Sequence, residues 1–154
     1  MTVLTSTVQS TDSTIMTKKL LEYLNPESAC PAQGLYSHMT HVSAGDMYYV
    51  AGQLAVGADG SVVGEGDFDT QFRQVFRNLS DVLAAVGCDF NDIAKFTTYL
   101  VSADDIPHFM RLRAELFPTK FSTQDFAPNT LLIVNRLVKP EFRLEVEAIV
   151  RARG

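Results

Sequence analysis

Residues 68–87 read FDTQFRQVFRNLSDVLAAVG, and this stretch decides the fold. Phe68, Phe72, Val75, Phe76, Leu79, Val82, Leu83 and Val86 recur at steps of 4, 3, 1, 3, 3, 1 and 3. That spacing is the stripe of an amphipathic helix laid on a core. Asp67 or Asp69 suits its start, where a carboxylate accepts the free N–H groups of the first turn. Gly87 suits a left-handed stop at its end.

Strand chemistry lies on both sides of this helix. After it, residues 93–101 (IAKFTTYLV) are β-branched and aromatic. Before it, residues 47–55 (MYYVAGQLA) form an apolar run between the turn signals Gly45-Asp46 and Gly57-Ala58-Asp59-Gly60. Ser61 to Val63 reads as a short return strand. A second helix starts near Asp104, Asp105 and Pro107, shows the face Ile106, Phe109, Leu112 and Leu116, and is expected to stop at Pro118. Residues 130–137 (TLLIVNRL) and 142–151 (FRLEVEAIVR) read as a closing strand pair around Lys139-Pro140. In the last strand Phe142, Leu144, Val146, Ala148 and Val150 share one face, and Arg143, Glu145, Glu147, Ile149 and Arg151 share the other. Near the N-terminus, residues 18–24 (KKLLEYL) suggest a short helix ended by Asn25-Pro26. Residues 1–17, rich in Ser and Thr with no apolar period, read as a tail without chemistry.

The order strands–helix–strand–helix–strands is an α+β pattern. Two helices cover only one face of a sheet, yet residues 47–55 and 93–101 place apolar groups on both faces. A chain of 154 residues has no spare element for the second face, so self-association is expected.

Bulk properties exclude other classes. The net charge is −5 and no basic block stands out, which argues against a general nucleic-acid surface. No run approaches the ~20 apolar residues of a membrane span, and no signal-peptide pattern opens the chain, so a cytoplasmic protein is the expectation. Cys30 and Cys88 have no metal-ligand spacing. His38, His41 and His108 likewise lack the spacing of a metal site, and no metal is expected.

Several segments carry a resemblance when taken in order. They are Gly-Leu-Tyr-Ser-His (34–38), Val-Ala-Gly-Gln-Leu (50–54), the helix with Gln74 and Asn78-Leu79, Lys-Phe-Thr-Thr-Tyr-Leu (95–100), and Arg136-Leu137 followed by Leu-Glu-Val-Glu-Ala-Ile-Val (144–150). Together they resemble the Rid (reactive-intermediate deaminase) family, older name endoribonuclease L-PSP. The resemblance implies a chorismate-mutase-like fold: one mixed sheet, two helices on one face, and a homotrimer with its sheets packed around the axis. It divides the chain into a tail (1–17), an N-terminal extension (18–33) and a Rid-like domain (34–154). It implies cofactor-free hydrolysis of small enamines or imines, such as 2-aminoacrylate, in clefts at the subunit boundaries.

The resemblance also implies site residues. Glu145 matches an acidic residue on the last strand that holds or activates the attacking water; the alternative is a strand glutamate paired with Arg143 or Arg151. Tyr36 and Ser37 match a Tyr-Ser pair at the ligand, against the alternative of a packed tyrosine and a turn serine. Gly52 matches a glycine where backbone passes close to the ligand, or else marks a strand bulge. In the deaminating relatives an arginine grips the substrate carboxylate as a two-pronged ion pair. Anchored on Arg136-Leu137, that position falls on Asn129, and a shift of one gives Thr130. Both are neutral. This departure suggests a substrate other than 2-aminoacrylate, and it leaves open a second function: a non-catalytic trimer that binds a small metabolite or a partner protein.

Overall fold

A computed structural model describes residues 19–154. The expectation for residues 1–17 lies outside the described residues. Strands β1 (Leu21–Leu24) and β2 (Met39–Val42) form an antiparallel ribbon. Strand β3 (Met47–Gln53), helix α1 (Phe68–Ala85), strand β4 (Ile93–Leu100), helix α2 (Ile106–Lys120), and strands β5 (Asn129–Ile133) and β6 (Leu144–Arg151) make the body. The main sheet runs β3-β6-β4-β5; β5 is parallel to β4 and the other pairs are antiparallel. This is the expected α+β mixed sheet.

The long helix forms as its stripe requires. The Asp67 carboxylate caps it by accepting from Thr70 N at 3.2 Å, and Gly87 takes the left-handed φ of 70° just beyond its end. Phe72, Val75, Phe76, Leu79 and Leu83 are buried, with Gln71 beside them. Gln71 is satisfied: its amide donates to Glu141 O at 2.7 Å, and its oxygen accepts from Arg143 N at 2.8 Å. Asn78 ties the helix to the end of β3, donating to the carbonyls of Leu54 and Val56, each at 2.9 Å.

Leu144, Val146, Ala148 and Val150 of β6, with Phe142 just before it, face the helices, and none is more than 2% exposed. Around them lies an aromatic core that includes Phe72, Phe76, Phe90, Phe96, Phe117 and Phe121. The other sheet face carries Tyr49, Tyr99, Leu132, Glu145, Glu147 and Ile149, in register across four strands. Tyr49 is 79% exposed there and Leu132 42%, so no element among the described residues covers this face.

Four expectations are corrected, and one strand is unforeseen. Residues 21–24 form a strand, not part of a helix, because pairing of Leu21 with Val42 and a 2.7 Å bond from the Tyr23 hydroxyl to Ile93 O override the local helical preference. The strand β2 has no counterpart among the sequence expectations. Pro118 does not stop α2, which continues to Lys120; Phe121 N still donates to Phe117 O at 3.0 Å, so the missing N–H costs one bond near the helix end. β5 and β6 do not pair with each other, since β6 inserts between β3 and β4. Residues 61–63 make no strand, only a single bridge between Val56 and Val62.

Candidate active site and small-molecule cleft

The expected site residues fall into two groups. Tyr36, Ser37, Asn129 and Thr130 come together in one open cleft of about 480 Å³, walled also by His38, Met39, Thr40, Lys95 and Pro128. Glu145 and Gly52 meet elsewhere, on the uncovered sheet face.

The cleft is built where the segment after β1 crosses the N-terminal end of β5. Ser37 is 1% exposed; its N–H donates to Phe126 O at 2.9 Å, and its hydroxyl oxygen accepts from the Asn25 amide at 3.4 Å. Tyr36 stands edge-on to His38, and its hydroxyl accepts from Gln33 N at 3.1 Å. Asn129 begins β5 beside Phe96 of β4. Its Oδ1 accepts from the buried Thr98 hydroxyl at 2.9 Å. That bond fixes the amide with its NH₂ end as the remaining donor. Thr130 is exposed, on the open face beside Thr97.

Glu145 lies opposite Tyr99 on the neighbouring strand. Its carboxylate rests over Gly52, where any Cβ would overlap it. The β3–β6 register shifts between Val50 and Gln53, so Gly52 sits in an irregularity of the ladder as well as under the carboxylate. Neither arginine of the alternative reading reaches Glu145. Arg143 forms a 2.6 Å ion pair with the buried Asp105, and Arg151 donates to Ala44 O at 2.9 Å. Half-buried and without a cation partner among the described residues, Glu145 has its pKa raised, first by desolvation and then by the charge of Glu147. Glu147 itself accepts from the Tyr99 hydroxyl at 3.2 Å. Among the described residues, no three of His, Cys, Asp or Glu gather as a metal site would need.

Sequence reasoning missed Thr40 and the lining role of Lys95. Thr40 lies on the unforeseen strand β2, and its hydroxyl donates to Ala94 O at 2.7 Å. Lys95 stood only as part of a motif, although alternation along β4 puts it on the face of Thr97 and Tyr99.

With this geometry in place, comparison with known proteins identifies the chain. The family model described as Endoribonuclease L-PSP matches residues 26–152. The chain belongs to this family, the Rid family. A RutC family protein of Pyrococcus horikoshii, PH0854, is 30% identical over 132 residues, covering 83% of this chain and 95% of that protein. The mouse 2-iminobutanoate/2-iminopropanoate deaminase is 28% identical over 90 residues, 58% of this chain and 65% of the mouse protein. The crystal structure of the Rid-family protein YyfB from Yersinia pestis superposes with a TM-score of 0.76 at 29% identity, covering 86% of this chain and 98% of that one. Among the described residues, no helix is long and apolar enough to cross a membrane.

Proposed function

We propose that this Rid-family chain is a cofactor-free deaminase or hydrolase of small imines, enamines or related unsaturated metabolites. It acts in clefts between the copies of a homotrimer. The observation that carries this reading is Glu145: a half-buried carboxylate with no cation partner among the described residues, raised in pKa, seated over a glycine on a sheet face that none of those residues covers. A water held there adds its oxygen to the imine carbon while the C=N electron pair moves to nitrogen. Glu145 accepts one proton from the water and passes it to the nitrogen, and it then relays the proton of the new hydroxyl to the same nitrogen as that leaves. The C–N bond then breaks, a carbonyl forms and ammonia leaves. Tyr36, Ser37, Asn129 and Thr130 hold the ligand, and Glu145 of one copy serves the cleft of the next. The mouse relative named as an iminobutanoate and iminopropanoate deaminase supports the reaction class.

The trimer has its own test. Tyr49 and Leu132 would otherwise meet water on an apolar face. Analytical ultracentrifugation at micromolar concentration should give a particle about three times the 17.0 kDa chain mass. A clean monomer would remove the intersubunit cleft from the mechanism.

Asn129 sets substrate choice. It offers one neutral amide where deaminating relatives offer a charged fork, so ammonia release from freshly generated 2-aminoacrylate should be slow. Asn129→Arg should raise kcat/KM for that substrate about tenfold or more, because gripping the carboxylate orients the carbon that water attacks. Fast wild-type turnover that is indifferent to the substitution would show that position 129 does not anchor the substrate. If a panel of imines, enamines and unsaturated acids gave no ammonia or hydrolysis at all, the non-catalytic binding reading would replace this one.

A further inference from the structure

Arg113 on α2 is buried to 2% exposure, and its charge has no counterion among the described residues. Its Nε has no hydrogen-bond partner, and one terminal nitrogen meets only the Met110 sulfur at 3.1 Å. The guanidinium lies over the rings of Phe109 and Phe117, 5.3 and 5.8 Å from their centroids. Burial without a carboxylate pulls its pKa down to about 10, so it remains a cation at neutral pH. Leaving a buried charge uncompensated is among the most costly things a fold does.

The position of this charge gives it a use. A Cβ built on Gly34 would stand 2.7 Å from the Arg113 Nη2 and 3.8 Å from the Tyr36 ring. Tyr36 and Ser37 form a wall of the ligand cleft. The guanidinium therefore packs close to Gly34, on the same side as the Tyr36 ring, in a dry surrounding where its field is weakly screened.

We propose that Arg113 is a positioning cation for the cleft: its unpaired charge near Tyr36 selects small carboxylates there and supplies, at a distance, the positive charge that Asn129 lacks. This inference rests on the reading of the cleft as the ligand site. It narrows the substrate class to small acids, with their carboxylate toward the Tyr36–Ser37 wall. Gly34 belongs to the arrangement, since any side chain at that position would press on the guanidinium.

The test compares two probes, pyruvate and its neutral amide pyruvamide, by NMR titration of the full chain, following the amides of Tyr36, Ser37, Asn129 and Thr130. Wild type should bind pyruvate about tenfold more tightly than pyruvamide. Arg113→Met, which keeps the apolar stem against Phe109 and Phe117, should bring the ratio near one; Arg113→Lys should keep most of it. If the Met variant does not fold, Arg113→Gln gives the same readout. Lys139→Met, a cation outside the cleft lining, should leave the ratio in place, and Lys95→Met tests whether the lining's own cation sets it. An undiminished ratio in Arg113→Met or Gln, or a ratio that collapses only in Lys95→Met, overturns the role of Arg113 and leaves the cleft standing. Equal binding of both probes to wild type does the same. Binding of neither probe at the cleft overturns the cleft reading together with this inference.

Discussion

Phe76→Ala should destabilise the fold by about 3–5 kcal/mol, as removal of a buried phenyl ring does. Phe76 is 2% exposed, and its ring packs against four others: Phe72 at 4.6 Å, Phe117 at 6.0 Å, Phe90 at 6.2 Å and Phe96 at 6.4 Å. These neighbours come from α1, α2, β4 and the turn before β4. No single element can close the space left behind, so most of it persists as a cavity. Val82→Ala on the same helix should change stability by about 0.5 kcal/mol or less, because Val82 is 39% exposed. Urea denaturation at one fixed protein concentration, with the oligomeric state checked for each variant, compares the two. Equal losses would mean that the buried face of the helix is assigned wrongly.

That contrast also marks how far the sequence was legible. The stripe from Phe68 to Leu83 located the helix because its spacing encodes an orientation. Val82 and Val86 lie on the same stripe, and Val82 is seven residues from Val75, within about 20° around the helix axis. Yet they are 39% and 42% exposed. Among the described residues no neighbour covers them at the last turns of the helix, and periodicity carries no information about neighbours. The same limit explains the strand pair that did not form. Alternation assigned both faces of β6 correctly, but alternation says nothing about which strand lies alongside. The connection did contain the answer for β5: a strand, a helix and a strand in succession make a parallel crossover, which β4, α2 and β5 form. Residues 21–24 show the opposite case, where pairing with β2 outweighs a local helical preference.

The site was legible unevenly for a related reason. Tyr36, Ser37, Asn129 and Thr130 are far apart in the chain, and the resemblance named them without showing that they share a cleft. Their convergence depends on the backbone bond from Ser37 to Phe126, which docks the segment after β1 beside the start of β5. Glu145 and Gly52 were named in the same way, but what gives them meaning is the unpaired state of the carboxylate. The sequence offered Arg143 and Arg151 as partners at strand spacing. Arg143 is drawn instead to Asp105, which is 2% exposed and needs the charge more.

Glu145→Gln should lower kcat/KM for the best substrate in an ammonia-release panel by on the order of 10²–10⁴, the usual contribution of a positioned proton-transfer group. Glutamine keeps the shape over Gly52 but cannot take a proton from water. Particle mass should therefore be unchanged. Stability at neutral pH should not fall, and the sign follows from the raised pKa. A carboxyl whose folded pKa lies above its ordinary value of 4.5 disfavours its own ionisation in the fold. The resulting cost is absent below the unfolded value and complete above the folded one, so a neutral glutamine relieves it at pH 7. The pH profile adds a second check. If Glu145 acts as the base, wild-type activity must fall as the pH drops through a pKa above 4.5. Glu147→Gln removes the like charge that contributes to the shift, so it should move that acid limb to lower pH while leaving the plateau rate far above that of Glu145→Gln. A Glu145→Gln variant with near wild-type turnover, or an acid limb that ignores Glu147, would take proton transfer away from this carboxylate and leave the cleft as a binding site.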